Sequence, residues 1–215
     1  MLFKIDIIKI SEKTILLKKN KIFKKVQVIT ISTTTLSVHV NAAKEFKAKL
    51  GTLWFGLGGT TPWANEEQPN EESMYTTDLN NLFGMIQISK ANFVIPITSS
   101  EGTDPISGLP LPPVDSNLLK YGANMYQPIS DSDVQKYMPR DVYLEAKLLQ
   151  GQLPDNLYRQ IGIYEGVIPV PNKKTATVLQ PQDISNKGTL DGYENIKFQR
   201  LDDNVGVSLG VILQF

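Results

Sequence analysis

The sequence predicts a mainly β protein: an irregular antiparallel β-sandwich-like domain with long loops and one or two short helices. Runs rich in Ile, Val, Thr and aromatic residues recur with partial period-two alternation, the pattern of half-buried strands. Pro, Gly, Asn and Asp separate these runs at short intervals, which favours antiparallel connections over βαβ units. No segment repeats at a solenoid period, and none is of low complexity.

Taken in order, "LFKIDIIKI" and "VQVITISTTTLSVHV" read as strands, with "KKNKIFKK" a solvated turn between them. Residues 1–30 carry eight lysines against Asp6 and Glu12, six positive charges in excess. Residues 1–41 are therefore expected to form a basic, strand-rich N-terminal arm or hairpin, and residues 42–215 a β-rich structural domain. The lysines fit either an arm that docks on an acidic partner or a hairpin whose edge they blunt. A short helix is expected over Ala42 to Lys49, capped at Gly51, followed by a strand in "TLWFGLG". Leu79, Leu82 and Phe83 have helical spacing, so a helix-like or turn-rich excursion is expected before a strand over Phe93 to Ile97. Residues 99–116 hold four prolines and two glycines and read as a loop. Val142, Tyr143, Leu144 and Leu148 fit a strand or a short helix. The C-terminal "VSLGVILQF" fits a strand tied into the core or against a neighbour.

Composition narrows the function. The 215 residues are 41 % hydrophobic and 20 % charged, which suits a folded domain, and the formal net charge of zero gives the whole chain no pull towards nucleic acid or anionic lipid. No apolar run reaches the roughly 18 residues of a membrane span, and "MLFKIDIIKI" lacks a signal-like apolar stretch, so a soluble chain is expected. Cysteine is absent and His39 is the single histidine. Without a nucleophile elbow around His39, no catalytic residue is expected. "SDSD" at 130–133 lacks the spacing of a calcium loop, and neither a metal nor a cofactor is expected.

The run "LWFGLGGTTPWANEEQP", residues 53–69, concentrates the unusual chemistry. Gly56, Gly58 and Gly59 match neither dinucleotide nor phosphate-loop spacing, and Pro62 stands where a phosphate-binding helix would have to run. Glu66 and Glu67 are adjacent, so an extended backbone would point them to opposite faces, unlike a glycosidase pair. Trp54, among Leu53, Phe55 and Leu57, reads as core. Trp63 fits equally a plug that locks the loop or an interface anchor.

These residues also resemble a known pattern. "KAKLGTLWFGLGGTTPWANEEQPN" followed by "ISKANFVIPI" is similar to the baseplate wedge proteins of contractile-tailed bacteriophages, through Gly58, Thr60, Thr61, Pro62, Trp63, Glu66, Pro69, Val94, Ile95 and Pro96. "NLYRQIGIYEGVIP" adds Tyr158, Arg159, Gln160, Ile161 and Gly162. The resemblance covers residues 44–98 and 153–215. Gly59 stands where the family often has a basic residue, and Asn70 where it has a second proline. What the resemblance implies is a virion structural protein without catalysis, assembled in the host cytoplasm into the tail baseplate. Its implied partners are other baseplate and tail proteins, with several copies in a symmetric ring or as a homodimer. Another tail or neck protein, such as a connector, is the nearest alternative. A carbohydrate-binding module using Trp63, Glu66 and Glu67 is a more distant one. Interfaces are expected at residues 60–70, 99–116 and the N-terminal arm.

Overall fold

The computed structural model describes residues 35–97, 102–103, 108–114, 116–154, 156–201 and 206–215. The readings of strand and turn within residues 1–34 lie outside the described residues. Helix α1, Leu36–Ala48, opens the description. Its buried Val40 and Ala43, with Leu36 partly buried, are spaced at i, i+4 and i+7, the apolar stripe of an amphipathic helix. This corrects the strand reading of Leu36 to Val40: the alternation through Val38 was coincidental, and Val38 is exposed on the outer side. The helix packs on the second sheet and stacks Phe46 against Phe215, ring centroids 5.3 Å apart. It ends earlier than expected, at Ala48, and Gly51 belongs to a 3-10 turn rather than a cap.

Among the described residues, twelve strands follow. They are β1 Leu53–Gly58, β2 Gly84–Gln87, β3 Lys90–Pro96, β4 Leu119–Tyr121, β5 Asn124–Ile129 and β6 Asp141–Leu148, with a one-turn helix α2, Val134–Tyr137, before β6. Then come β7 Asn156–Glu165, β8 Ile168–Pro169, β9 Val178–Leu179, β10 Ile184–Asn186, β11 Thr189–Leu201 and β12 Val207–Gln214. They build one sheet in the order β11-β7-β1-β2-β9, a second in the order β12-β6-β3-β5-β4, and a ribbon of β8 with β10. Every pairing is antiparallel. The mainly β, antiparallel reading is borne out. Val142 to Leu148 resolve as strand, and the described parts of residues 99–116 form a loop pinned by one bridge between Thr103 and Pro110.

The inner faces share one core. Leu53, Phe55, Leu57, Ile86 and Ile163 of the first sheet meet Phe93, Ile95, Val142, Leu144 and Leu209 of the second. Each such side chain contributes about 1.5–3 kcal/mol when fully buried. The first sheet is covered on its other face as well, which is why all six residues of β1 are buried and its alternation vanishes. There Trp54, Met85, Tyr164 and Leu179 form a second cluster with Leu79 and Leu82.

That outer cluster exists because the sheet is bare along one strip. Gly56 is paired across the strands with both Gly162 and Met85. A Cβ on Gly56 would fall 2.5 Å from Tyr164 Cε2, one on Gly58 2.8 Å from the Asn80 carbonyl oxygen, and one on Gly162 2.8 Å from a Leu190 methyl. The glycines admit the chain of residues 79–82 onto the sheet. Replacement of Gly56 by Ala is expected to destabilise by about 1–3 kcal/mol through overpacking. Gly192→Ala, where the added atom meets nothing within 4 Å, should stay within about 0.5 kcal/mol. Thermal melts of the two variants make the comparison, and equal losses would remove the close-approach explanation.

Candidate functional site

Residues 59–83 connect β1 to β2 without a helix, so the helical spacing of Leu79, Leu82 and Phe83 serves apolar docking instead. The turn-rich alternative is the observed one. Gly59 starts the excursion with φ +69°, a left-handed angle natural to glycine, and a Cβ there would lie 2.8 Å from Gln160 Cγ. A basic side chain at position 59 would require Gln160 to move.

Side chains from β7 and β11 tie the excursion down. Arg159, only 3 % exposed, donates from Nε and Nη2 to the Glu66 carboxylate at 2.7–3.0 Å and from Nη1 to the Thr60 carbonyl at 3.2 Å. Its guanidinium also lies over Phe198, 5.8 Å from the ring centroid. The paired forks of arginine and carboxylate give this contact a fixed geometry. Next along β7, buried Gln160 accepts from the Asn80 amide at 2.8 Å and donates to Asn195 Oδ1 at 2.8 Å. Asn195 in turn donates to the Asn70 carbonyl at 2.8 Å. Tyr164 accepts from the Leu79 amide at 3.0 Å and donates to Asp78 at 2.6 Å, while Lys187 pairs with the same carboxylate. The Tyr193 hydroxyl accepts from the Ser73 amide at 2.6 Å.

The residues singled out from sequence fall on this strap unequally. Thr60, Glu66 and Arg159 come together, and Gly58 pairs in register with the adjacent Gln160. Trp63 is half-buried and its indole N–H donates to the Ile196 carbonyl at 2.9 Å, which fastens the loop to β11. Thr61 accepts from Asn81 at 3.1 Å, Pro62 is exposed, and Pro69 is half-buried. Glu67 pairs with Lys197 on β11 while Glu66 turns to β7, so the two carboxylates serve different strands. Val94, Ile95 and Pro96 lie on β3, in the other sheet. Sequence reading missed Gln160, Tyr164, Tyr193 and Asn195 as anchors. For Gln160 and Tyr164 the available signal was the run "YRQIGIY", polar residues inside an otherwise apolar strand.

Between its anchors the excursion raises Met74 and Tyr75, which are 88 % and 86 % exposed. Among the described residues no group of three or more metal-ligating side chains is assembled. No described helix is long and apolar enough to cross a membrane.

The most elaborate polar network of this β-sandwich thus holds one long loop in place. The model of a family described as "Baseplate wedge 3 tail fiber network component" matches residues 31–215, and the chain belongs to that family. It is similar to "Virion protein 3" of Enterococcus phage phiEF24C, at 27 % identity over 173 residues that cover 80 % of this chain and 88 % of the relative. The resemblance read from the two sequence blocks is thus borne out, and the role is that of a structural component of the phage tail baseplate in the virion. Residues 1–30 precede the family match.

The strap is pH-sensitive in a defined direction. The bond from Arg159 holds the Glu66 carboxyl below the usual carboxylate range. At Asp78 burial pushes upward, but Lys187 and Tyr164 outweigh it and the net shift is also down. Burial and the bond to Asp78 hold the Tyr164 hydroxyl above its ordinary value. A carboxyl depressed in the folded state stabilises above its unfolded pKa and loses that contribution as pH falls through the folded one. Thermal stability should therefore fall from about pH 4 downward, and less steeply in Glu66→Gln than in the parent. Parallel pH profiles for the two proteins would exclude a contribution from the Arg159 pair.

Proposed function

We propose that this chain is a component of the baseplate wedge that works through protein–protein interfaces in a symmetric ring and turns over no substrate. The observation that carries this reading is the pair Met74 and Tyr75, held almost fully exposed on a loop tied down on both sides. Methionine and tyrosine are enriched at interfaces, where a preordered apolar anchor binds without a further ordering cost. Residues 60–70, 99–116 and the basic N-terminal segment extend the proposed contact surface, with other baseplate and tail proteins as partners and several copies around the ring. Family membership supports the baseplate role, and the exposed anchor supports assembly by contact.

Light scattering tests it on the purified chain alone and after mixing with its neighbouring structural proteins. The parent should be a small monomer or dimer that enters a larger particle of defined mass. Met74→Ser combined with Tyr75→Ser should leave the melting transition within about 0.5 kcal/mol of the parent, as expected for exposed sites, yet fail to enter that particle. A parent that stays solitary in every mixture, or a double variant that assembles normally, would contradict the reading.

A further inference from the structure

Met74 and Tyr75 are the two central residues of a closed turn. The Thr76 amide donates to the Ser73 carbonyl at 3.0 Å, and the Tyr75 amide donates to Ser73 Oγ at 3.3 Å. The first bond joins residues i and i+3, the mark of a β-turn, and leaves the central pair at its tip. Both ends of the turn meet one group. The Tyr193 hydroxyl, rising from β11, accepts from the Ser73 amide at 2.6 Å and lies 3.0 Å from Thr76 Oγ1. The Tyr193 ring in turn packs against the outer cluster of Trp54, Leu79 and Tyr164. The tip is therefore fastened to the sheet through a side chain that is itself anchored.

The charge along this strap has one sign. Residues 59–83 contain Glu66, Glu67, Glu71, Glu72 and Asp78 and no lysine, arginine or histidine. Three of the five carboxylates are taken up within the chain, by Arg159, Lys197 and Lys187. The other two, Glu71 and Glu72, stand three and two residues before Met74, and both are exposed. The Asn195 amide donates to the Glu72 carboxylate at 2.9 Å, which fixes that charge on β11 two residues from Tyr193.

Such a tip fits one kind of surface. Methionine fills irregular apolar hollows, and tyrosine adds a ring with a polar end. The complement of the pair is an apolar hollow, and the complement of the flanking carboxylates is a cationic rim, which would steer encounter and fix register. A two-fold contact between copies sets the same patch against itself. Here it would bring Glu71 and Glu72 up to like charges, so a different protein is the better occupant.

We propose that the turn of residues 73–76 inserts Met74 and Tyr75 into an apolar hollow, rimmed by lysine or arginine, on another protein of the baseplate. This rests on the contact role proposed above and adds the chemistry of the partner.

Glu71→Gln and Glu71→Lys test the rim, because that side chain is exposed and both variants should melt with the parent. Stopped-flow light scattering follows association of the purified chain with its neighbouring structural proteins at 0.1 M and 1 M salt. Over that range the screening length falls from about 10 Å to about 3 Å. At 0.1 M, association should slow about threefold in Glu71→Gln and about tenfold in Glu71→Lys, and the three proteins should converge at 1 M. Equal rates at 0.1 M, or faster association of Glu71→Lys, would overturn the proposal. Self-association of the purified chain that is lost in Met74→Ser with Tyr75→Ser would assign the tip to a second copy and overturn it as well. Failure of the contact role itself has a different signature. The double serine variant would then associate as fast as the parent at both salt concentrations, or the parent would not associate at all, and both readings would fall.

Discussion

The strip of sheet left bare by Gly56, Gly58 and Gly162 is the constraint on which the other features depend. Three adjacent positions without a Cβ make a trough on the outer face of β1 and β7, and Leu79, Leu82 and the Tyr164 ring occupy it. The excursion can then approach the sheet at backbone distance, where its amides and carbonyls come within reach of side chains rising from β7 and β11. Any side chain in the trough would lift the excursion and lengthen those bonds together. The sheet in turn acquires two covered faces, and Trp54 and Tyr164, which would otherwise sit on solvent, become core.

The polar strap follows from that closeness. Removing the Arg159 guanidinium from water costs several kcal/mol, and a single ion pair recovers this only with good geometry and further hydrogen bonds. Both are present: two nitrogens on one carboxylate and the third on the Thr60 carbonyl. Such a pair adds less to net stability than to definition, since only one path of the loop satisfies the buried cation. Gln160 acts alike, joining the Asn80 amide to Asn195 and through it to the Asn70 carbonyl. The result is a long connection that behaves as part of the sheet, a sound base for the exposed Met74 and Tyr75. The contact role proposed for Met74 and Tyr75 draws on this fixed position.

Much of this was legible in the sequence, for physical reasons. Strands bounded by Gly, Pro, Asn and Asp showed themselves because turn chemistry is local. The pairing of "GGTTPW" with "YRQIG" was visible as resemblance but not as contact, because Glu66 and Arg159 stand 93 residues apart and nothing local links them. The helix over Leu36 to Val40 was misread because Leu36, Val38 and Val40 satisfy period two as well as Leu36, Val40 and Ala43 satisfy period 3.6. Tertiary burial of Val40 and Ala43 decided between them. The glycines were read as a turn signal, and Gly59 is one. The other role, clearance for a crossing chain, depends on what lies above the sheet and leaves no trace in local spacing.

Residues 59–83 are held on the sheet by bonds within their own chain. Amide hydrogen exchange of the isolated protein tests it most directly at Ser73, Leu79 and Asn80, whose N–H groups donate to Tyr193, Tyr164 and Gln160. Exchange should be slow at these three positions in the free chain, and Leu79 and Asn80 should be released in Gly56→Ala. Exchange at the rate of an open loop, while β1 and β7 stay protected, would contradict it and mean that the excursion takes its order from the assembly.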